Sequence, residues 1–412
     1  MVKMASKLTF GLGATDWQER INVARLRDER AERARQVMRK HGIAALLASR
    51  ADNCRYLTGL RGPEFSSQLW YVLFFAEHDP VVFHTAGWLE MMPPEAPWIR
   101  HWRLARAWLG GIGGPESVAE ESKRFAADIY KELQERGLAG EKLGVVSIDG
   151  AGQRALNALG VETTDFWPQM LEARAIKTVD EINCLKTVAA MCEAAWYRVW
   201  QELRPGIRDS ELQRVSVDAL VRAGADDPRP KAFRSGPATA TRAYEGPGRM
   251  IQHGDLVYAA LCGIGYMGYR SCNYRTFIAG RKPNDQEKDW YKRVVDRLDA
   301  IIDAAKPGVS TAELARFFPP AAAWGFKDEA EVLTMEIGHG IGLFQYEYPV
   351  INRQWSLFHP QILQAGMTFA VESREGEAGI GGVRLENMVV ITENGAEVMD
   401  HFPRDEICVA PM

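Results

Sequence analysis

GMTFAVESREGEAGIGGVRLENMVV, residues 366–390, contains two strand-like runs joined by a glycine-rich turn, with Glu372 in the first run and Glu386 in the second. Phe369 and Val371 alternate with Thr368, Ala370 and Glu372, and Val383, Leu385, Met388 and Val390 do much the same around Glu386, as expected for strands with a two-residue period. The pattern predicts that both acids point into one pocket. A carboxylate in a strand interior is costly to bury unless a metal, a cation or a shared proton compensates it. Two such acids in a stretch that holds no lysine point to a site; the plainer reading is that one or both lie on a solvated face or pair with Arg374 and Arg384.

The chain around this hairpin has 412 residues, too many for one ordinary core and enough for two domains. A formal net charge of -4 without long single-sign runs argues against a nucleic-acid binder, whose footprint is a basic stripe. Six cysteines without CxxC spacing read as free thiols in a reducing compartment, and the cytoplasm is the expected location. Apolar runs such as residues 70–76 fall far short of the ~20 residues that span a bilayer, so no membrane association is expected.

The first 175 residues alternate strands and amphipathic helices, which predicts an α/β domain. A helix over 21–41 stops at Gly42, strand-like runs fall at 43–48, 56–57, 69–75, 81–84 and 143–148, and a second helix covers 116–136. From residue 176 to the end the texture becomes α+β. Thr178 with Glu181, Asn284 with Glu287 and Ser310 with Glu313 have the spacing of capping boxes that open helices, and Asp209 caps a fourth. Strands are expected at 254–258, 273–279, 332–337, 367–372 and 383–390. Within this half, His339 is flanked by glycines in EIGHGIGL, residues 336–343, and glycines there let other groups approach closely.

GHGIGL, GMTFAVE and GGVRLENMVVITENG, with GDLV (254–257) and GYRSCNYRTF (268–277) upstream, resemble the pita-bread family of creatinase, prolidase, aminopeptidase P and methionine aminopeptidase. The likeness runs from about Ile176 to the end, and the Tyr56-Leu57-Thr58-Gly59 run is similar to the creatinase-type N-terminal domain. It implies a pita-bread catalytic domain, with its site on the inner sheet, and a homodimer. Metallopeptidase members hold two divalent ions with two aspartates, one histidine and two glutamates; matched position by position, His339, Glu372 and Glu386 are retained. The aspartates are not. Cys272 and Tyr274 occupy the places of the aspartate and threonine in the GYxSDxTRTF pattern, and the first aspartate falls on Leu261 or, with one insertion, Ala260. Two family histidines are replaced, one by Ala243 or Tyr244 and the other by Tyr346.

Two carboxylates about 4 Å apart repel by ~4 kcal/mol at an effective dielectric of about 20, so something must compensate Glu372 and Glu386. Three arrangements stay open: one divalent ion held by His339, Glu372, Glu386 and Cys272; a metal-free site, as in creatinase, gripping a cationic substrate; or internal pairing with Arg384 or Arg275. Cys272 reads equally as a buried space-filler. The leading expectation is a creatinase-like hydrolase without a cofactor, or with that single ion, cutting a carbon-nitrogen bond of amide or amidine type in a small substrate. Standard di-metal peptidase activity is disfavoured. His339 would transfer protons, Glu372 and Glu386 would orient the substrate, and Tyr244 or Tyr346 would donate to a developing oxyanion. Cys272 and Arg384 complete the expected substrate contacts, and Arg61 is placed to reach a partner subunit's pocket. The alternatives are a metal-dependent Xaa-Pro peptidase-like enzyme, a lyase acting on a small zwitterion, and a non-catalytic binding protein.

Overall fold

In the computed structural model, residues 20–63, 68–230, 232–240, 248–333 and 336–410 are described. They form two units, Val23–Arg174 and a larger one comprising Ala175 onward together with the residues before Val23.

The N-terminal unit is α/β. Its strands are β1 (Ala45–Ala48), β2 (Trp70–Phe75), β3 (Val81–His84), β4 (His101–Leu104), β5 (Leu143–Val146) and β6 (Thr163–Asp165), in the sheet order β4-β3-β2-β1-β5-β6. Helices α1 (Val23–Lys40), α2 (Ala51–Thr58), α3 (Ala86–Glu95), α4 (Pro115–Glu135), α5 (Gly150–Ala158) and α6 (Trp167–Ala175) alternate with them. Phe125, Ile129 and Leu133 recur at helical spacing along α4 and pack on Leu47, Leu73 and Val145 of the sheet. Tyr56 and Leu57 belong to α2 and not to a strand. Their neighbours Asn53 and Cys54 share a helical face with them, and Gly59, at φ 76°, ends the helix in the left-handed conformation.

In the C-terminal unit the helices are α7 (Val179–Glu202), α8 (Asp209–Arg222), α9 (Asp285–Ala304), α10 (Thr311–Ala315) and α11 (Arg353–Ser356). The capping boxes of Thr178, Asn284 and Ser310 are all formed. Strands β7 (Ala232–Ser235), β8 (Leu256–Ala260), β9 (Gly265–Tyr266), β10 (Tyr269–Arg270), β11 (Tyr274–Ile278), β12 (Ile337–Gly340), β13 (Glu347–Ile351), β14 (Thr368–Glu377), β15 (Gly381–Ile391), β16 (Ala396–Val398) and β17 (Cys408–Val409) build two sheets, β17-β11-β8-β7 and β13-β12-β14-β15-β16, beside a small β9–β10 hairpin. Of the strand expected at 332–337, residues 334–335 lie outside the described residues, Val332 closes a 3-10 turn, and β12 begins at Ile337. Upstream, the Asp328 and Glu331 side chains bond to nearby backbone N–H groups and hold Glu329–Val332 in a 3-10 turn, a local alternative that strand pairing does not displace.

The site is positioned by the two faces of β14 and β15. Phe369, Val371, Val383, Leu385 and Val389 bury against Val294, Leu298 and Ile301 of α9. The alternate residues, Ala370, Glu372, Arg374, Arg384, Glu386 and Met388, therefore occupy the opposite face. The second sheet is tied to this hairpin by hydrogen bonds: Thr276 Oγ1 donates to the Arg384 carbonyl at 2.7 Å and accepts from the Arg384 N–H at 2.9 Å, and Arg275 donates to the Glu386 carbonyl at 2.8 Å. Leu298 is fully buried in this core. Leu298→Ala is expected to cost about 2–5 kcal/mol, read as a lower denaturant midpoint at unchanged slope, whereas Leu159→Ala, at a half-exposed position, should cost less than about 1 kcal/mol.

Candidate active site

Glu372 and Glu386 are directly opposite one another in the β14–β15 ladder, and both are buried. His339, on β12, is buried beside them, with Nε2 3.6 Å from Glu386 Oε1. The glycine frame of His339 has a steric origin: a side chain at Gly340 would overlap the backbone of Tyr348, and one at Gly342 would overlap the Glu347 carboxylate. That carboxylate accepts from Lys177 Nζ at 2.9 Å in a fully buried ion pair and from the Phe344 N–H at 3.0 Å. The 341–347 loop is held this way, and it places the half-exposed Tyr346 ring 4.6 Å from the His339 ring.

Cys272 is also brought to the acids, and with it comes a residue that sequence reasoning missed. Cys262, rather than Leu261 or Ala260, is the residue that the fold brings to Cys272 and Glu386. The Leu261 N–H bonds to the Asn273 carbonyl and Ala260 pairs with Tyr274, which turns the next side chain, Cys262, inward. Counting failed because the connection between β8 and β11 carries its own β9–β10 hairpin, which sets the register. The available signal was the pair of cysteines bracketing the turn-rich segment 263–271. Donor atoms of Cys262, Cys272 and Glu386 all lie within 4.8 Å of one another, and Cys262 Sγ donates to Glu386 Oε2 at 3.4 Å. Burial pushes the Cys262 thiol up to about 11 and the Cys272 thiol well above its ordinary value, with the two glutamates pushing the same way. Without a cation both are protonated near neutral pH, so neither serves as a thiolate nucleophile.

The remaining expected residues divide. Arg275 pairs with Asp400, not with the acids. Arg384 lies on the Glu386 face of β15, roughly 7 Å along the strand. It is buried between Tyr258 and Tyr274, at 5.5 and 5.9 Å from the ring centroids. Its Nε and Nη2 have no hydrogen-bond partner, and it makes no ion pair among the described residues. Tyr244 lies outside the described residues. Arg61 is exposed on the N-terminal unit.

The same region holds a buried acid whose role sequence reasoning did not find. Glu336 accepts from Ser373 Oγ and the Arg374 N–H, both at 3.2 Å, and faces Arg297 at 3.4 Å. Its other oxygen has no partner, and burial raises its carboxyl from 4.5 to about 7 despite Arg297.

Cys262, Cys272 and Glu386 form a buried cluster with the chemistry of a metal-binding site, with His339 beside Glu386 and Glu372 opposite it on the inner strands of a pita-bread domain. Residues 183–393 match metallopeptidase family M24 and residues 30–155 match the creatinase/prolidase N-terminal domain; the chain belongs to family M24. It is 30% identical over 239 residues to an Xaa-Pro dipeptidase of Pyrococcus furiosus, a match covering 57% of this chain and 65% of that protein. It is 26% identical over 400 residues to an Xaa-Pro dipeptidase of Lactobacillus delbrueckii, covering 91% and 97%. The crystal structures of dipeptidase PepE from Mycobacterium ulcerans (TM-score 0.74, 24% identity, covering 95% of this chain and all of that one) and of a prolidase from Pyrococcus horikoshii (0.72, 23%, 92% and all) share its fold.

Membership overturns the expectation of a site without a cofactor, because the family is one of metallopeptidases and its members ordinarily carry two divalent ions. Cys262, Cys272 and Glu386 offer a buried set of donor atoms that could hold an ion. His339 Nδ1 lies 3.2 Å from the Gly340 carbonyl oxygen, which can only accept, so a proton on Nδ1 makes this contact a hydrogen bond and leaves Nε2 facing Glu386 Oε1. That oxygen is buried without a hydrogen-bond partner. Lone pair against carboxylate is repulsive unless a cation or a second ring proton lies between them. The fit to a pair of hard ions is poor, since thiols stand where oxygen ligands are needed.

A carboxyl raised on folding favours the folded chain fully below about 4.5, and that contribution is lost as pH rises toward 7. The unfolding free energy of the native chain should therefore fall relative to Glu336→Gln by up to ~3 kcal/mol between pH 5 and 8. An equal difference at both pH values in denaturant titrations would remove this assignment.

Proposed function

We propose that this chain is a metal-dependent hydrolase of an amide bond in a short peptide or peptide-like substrate that carries a free carboxylate. The observation that carries the reading is the coexistence, in one buried region, of a metal-ligand cluster whose Glu386 Oε1 lacks a hydrogen-bond partner and an arginine with two unused donors. Glu386, opposed by Glu372, lies beside His339 and the two thiols, and Arg384 offers two unused donors roughly two residues along. The kinship with Xaa-Pro dipeptidases supports a peptide substrate over the creatinase-like, cofactor-free hydrolase that the missing aspartates suggest. The matched region spans 65% of the Pyrococcus relative, so activity and substrate are taken from the site.

Cys262, Cys272, His339 and Glu386 would hold the ion. Once bound there, it supplies Lewis-acid polarisation of the scissile carbonyl. Arg384 fixes the substrate by a charge-assisted, fork-like contact to its carboxylate, in a dry setting where such bonds are strongest. Glu372, facing the same space, takes the proton from the attacking water and returns it to the leaving nitrogen. His339 moves from the proton-transfer role expected of it to that of a ligand, because its Nδ1 is committed to the Gly340 carbonyl. Tyr346, beside His339 and half-exposed, is placed at the mouth, where its hydroxyl can donate to the developing oxyanion. Burial of all six cysteines as free thiols supports work in a reducing compartment such as the cytoplasm, and family kinship supports a homodimer in which Arg61 meets the partner.

Release of free amino acid from a dipeptide panel, with Xaa-Pro members, tests this reading. Glu372→Gln should lower kcat at least ~100-fold with little change in KM. Arg384→Met should lower kcat/KM on the order of 100-fold for free acids and far less for C-terminally amidated analogues. Equal losses on both substrate forms would show that Arg384 does not read a carboxylate.

A further inference from the structure

We infer that this site is a thiophilic one, in which Cys262 and Cys272 bind a single zinc-class ion together with His339 and Glu386. The inference rests on the metal-dependent reading above but not on the substrate proposed there. Three observations carry it.

The first is spacing. A tetrahedral zinc has sulfur ligands at about 2.3 Å and nitrogen or oxygen ligands at about 2.0–2.1 Å, so neighbouring donor atoms lie about 3.3–3.8 Å apart. Cys262 Sγ to Glu386 Oε2 is 3.4 Å, within that range, whereas His339 lies outside the close donor group and approaches the other oxygen of the carboxylate, Nε2 to Oε1, at 3.6 Å. Cys262, Cys272 and Glu386 donors are all mutually within 4.8 Å. The second is the support given to each ligand from outside. His339 Nδ1 is oriented by the Gly340 carbonyl, which leaves Nε2 to coordinate, and Gln345 Nε2 donates to Cys272 Sγ at 3.3 Å. A hydrogen bond to a ligating sulfur or to the far nitrogen of a ligating imidazole orients the ligand and sets its strength. The third is chemistry. Thiolates favour zinc over manganese and magnesium, and a pair of hard ions would need bridging oxygen ligands, which neither position 262 nor 272 can provide. On binding, each thiol releases one proton to solvent and becomes a thiolate, so no oxidant or reductant takes part.

The full-length chain, produced with zinc, manganese and cobalt all supplied and purified under reductant without chelator, should contain one zinc per chain and little manganese by elemental analysis. Two ions per chain, or manganese in place of zinc, overturns the inference. After exchange with Co2+ alone, a sulfur-to-cobalt charge-transfer band should appear in the near ultraviolet and weaken in Cys262→Ser and in Cys272→Ser. Absence of the band in the native chain overturns it, as does a Cys262–Cys272 disulfide found by thiol alkylation and mass measurement under reductant. Because losing a buried thiol can unfold the chain, the double variant Cys262→Asp/Cys272→Asp provides a gain-of-function arm. It should shift preference from zinc toward manganese by at least about tenfold and lose the cobalt band; unchanged preference in the folded variant counts against thiolate ligation. These readouts do not depend on turnover. A chain that binds zinc through sulfur yet cleaves no peptide retains this inference and loses only the proposed substrate.

Discussion

The C-terminal unit is arranged around one electrostatic problem: two carboxylates face each other across a fully buried strand pair. Glu372 and Glu386 reach that position because the opposite faces of β14 and β15 are committed to α9, through Phe369, Val371, Val383 and Leu385. The apolar face and the charged face are thus one design. Shifting either strand by one residue would put the acids into the helix interface and the valines into the site. Among the described residues, the arginines nearest in sequence are engaged elsewhere, while His339 Nε2 stands 3.6 Å from Glu386 Oε1. Arg275 is taken by Asp400, and Arg384 stands further along the face, held between tyrosine rings.

The same pocket gathers ligand-type side chains: Cys262 and Cys272 bring polarisable sulfur, Glu386 contributes an oxygen with no hydrogen-bond partner, and His339 stands beside it. Family M24 is one of metallopeptidases whose members ordinarily carry two divalent ions, and in this chain two thiols stand beside the acids. Sulfur in place of oxygen alters which ion is favoured more than it alters where an ion would lie. The surrounding scaffold, including the bulge at His339–Gly340 and the buried Lys177–Glu347 pair, accommodates the change without a break in the ladder.

Much of the architecture was legible locally. The alternation around Glu372 and Glu386 specified a hairpin with opposed acids, because a two-residue period leaves only one register that buries the apolar set. The capping boxes at Thr178, Asn284 and Ser310 were legible because both partners lie within four residues of each other. Two short runs were misread. Tyr56–Leu57 is too short a run to tell strand from helix, and 332–337, interrupted by Thr334 and Glu336, has no clear period; a left-handed glycine ends the helix that holds the first, and side-chain caps set the turn that reaches Val332 in the second.

By itself, then, the sequence determined the fold family, the hairpin that carries the acids and the retention of His339, since each depends on spacing between near neighbours. Only the tertiary structure decided that Cys262 joins Cys272, that Arg384 keeps unused donors, and that Glu336 is held near neutrality. Those facts depend on how a turn of uncertain register folds, on which guanidinium finds a carboxylate, and on how deeply an acid is removed from water. All three are set by segments far apart in the chain meeting in space.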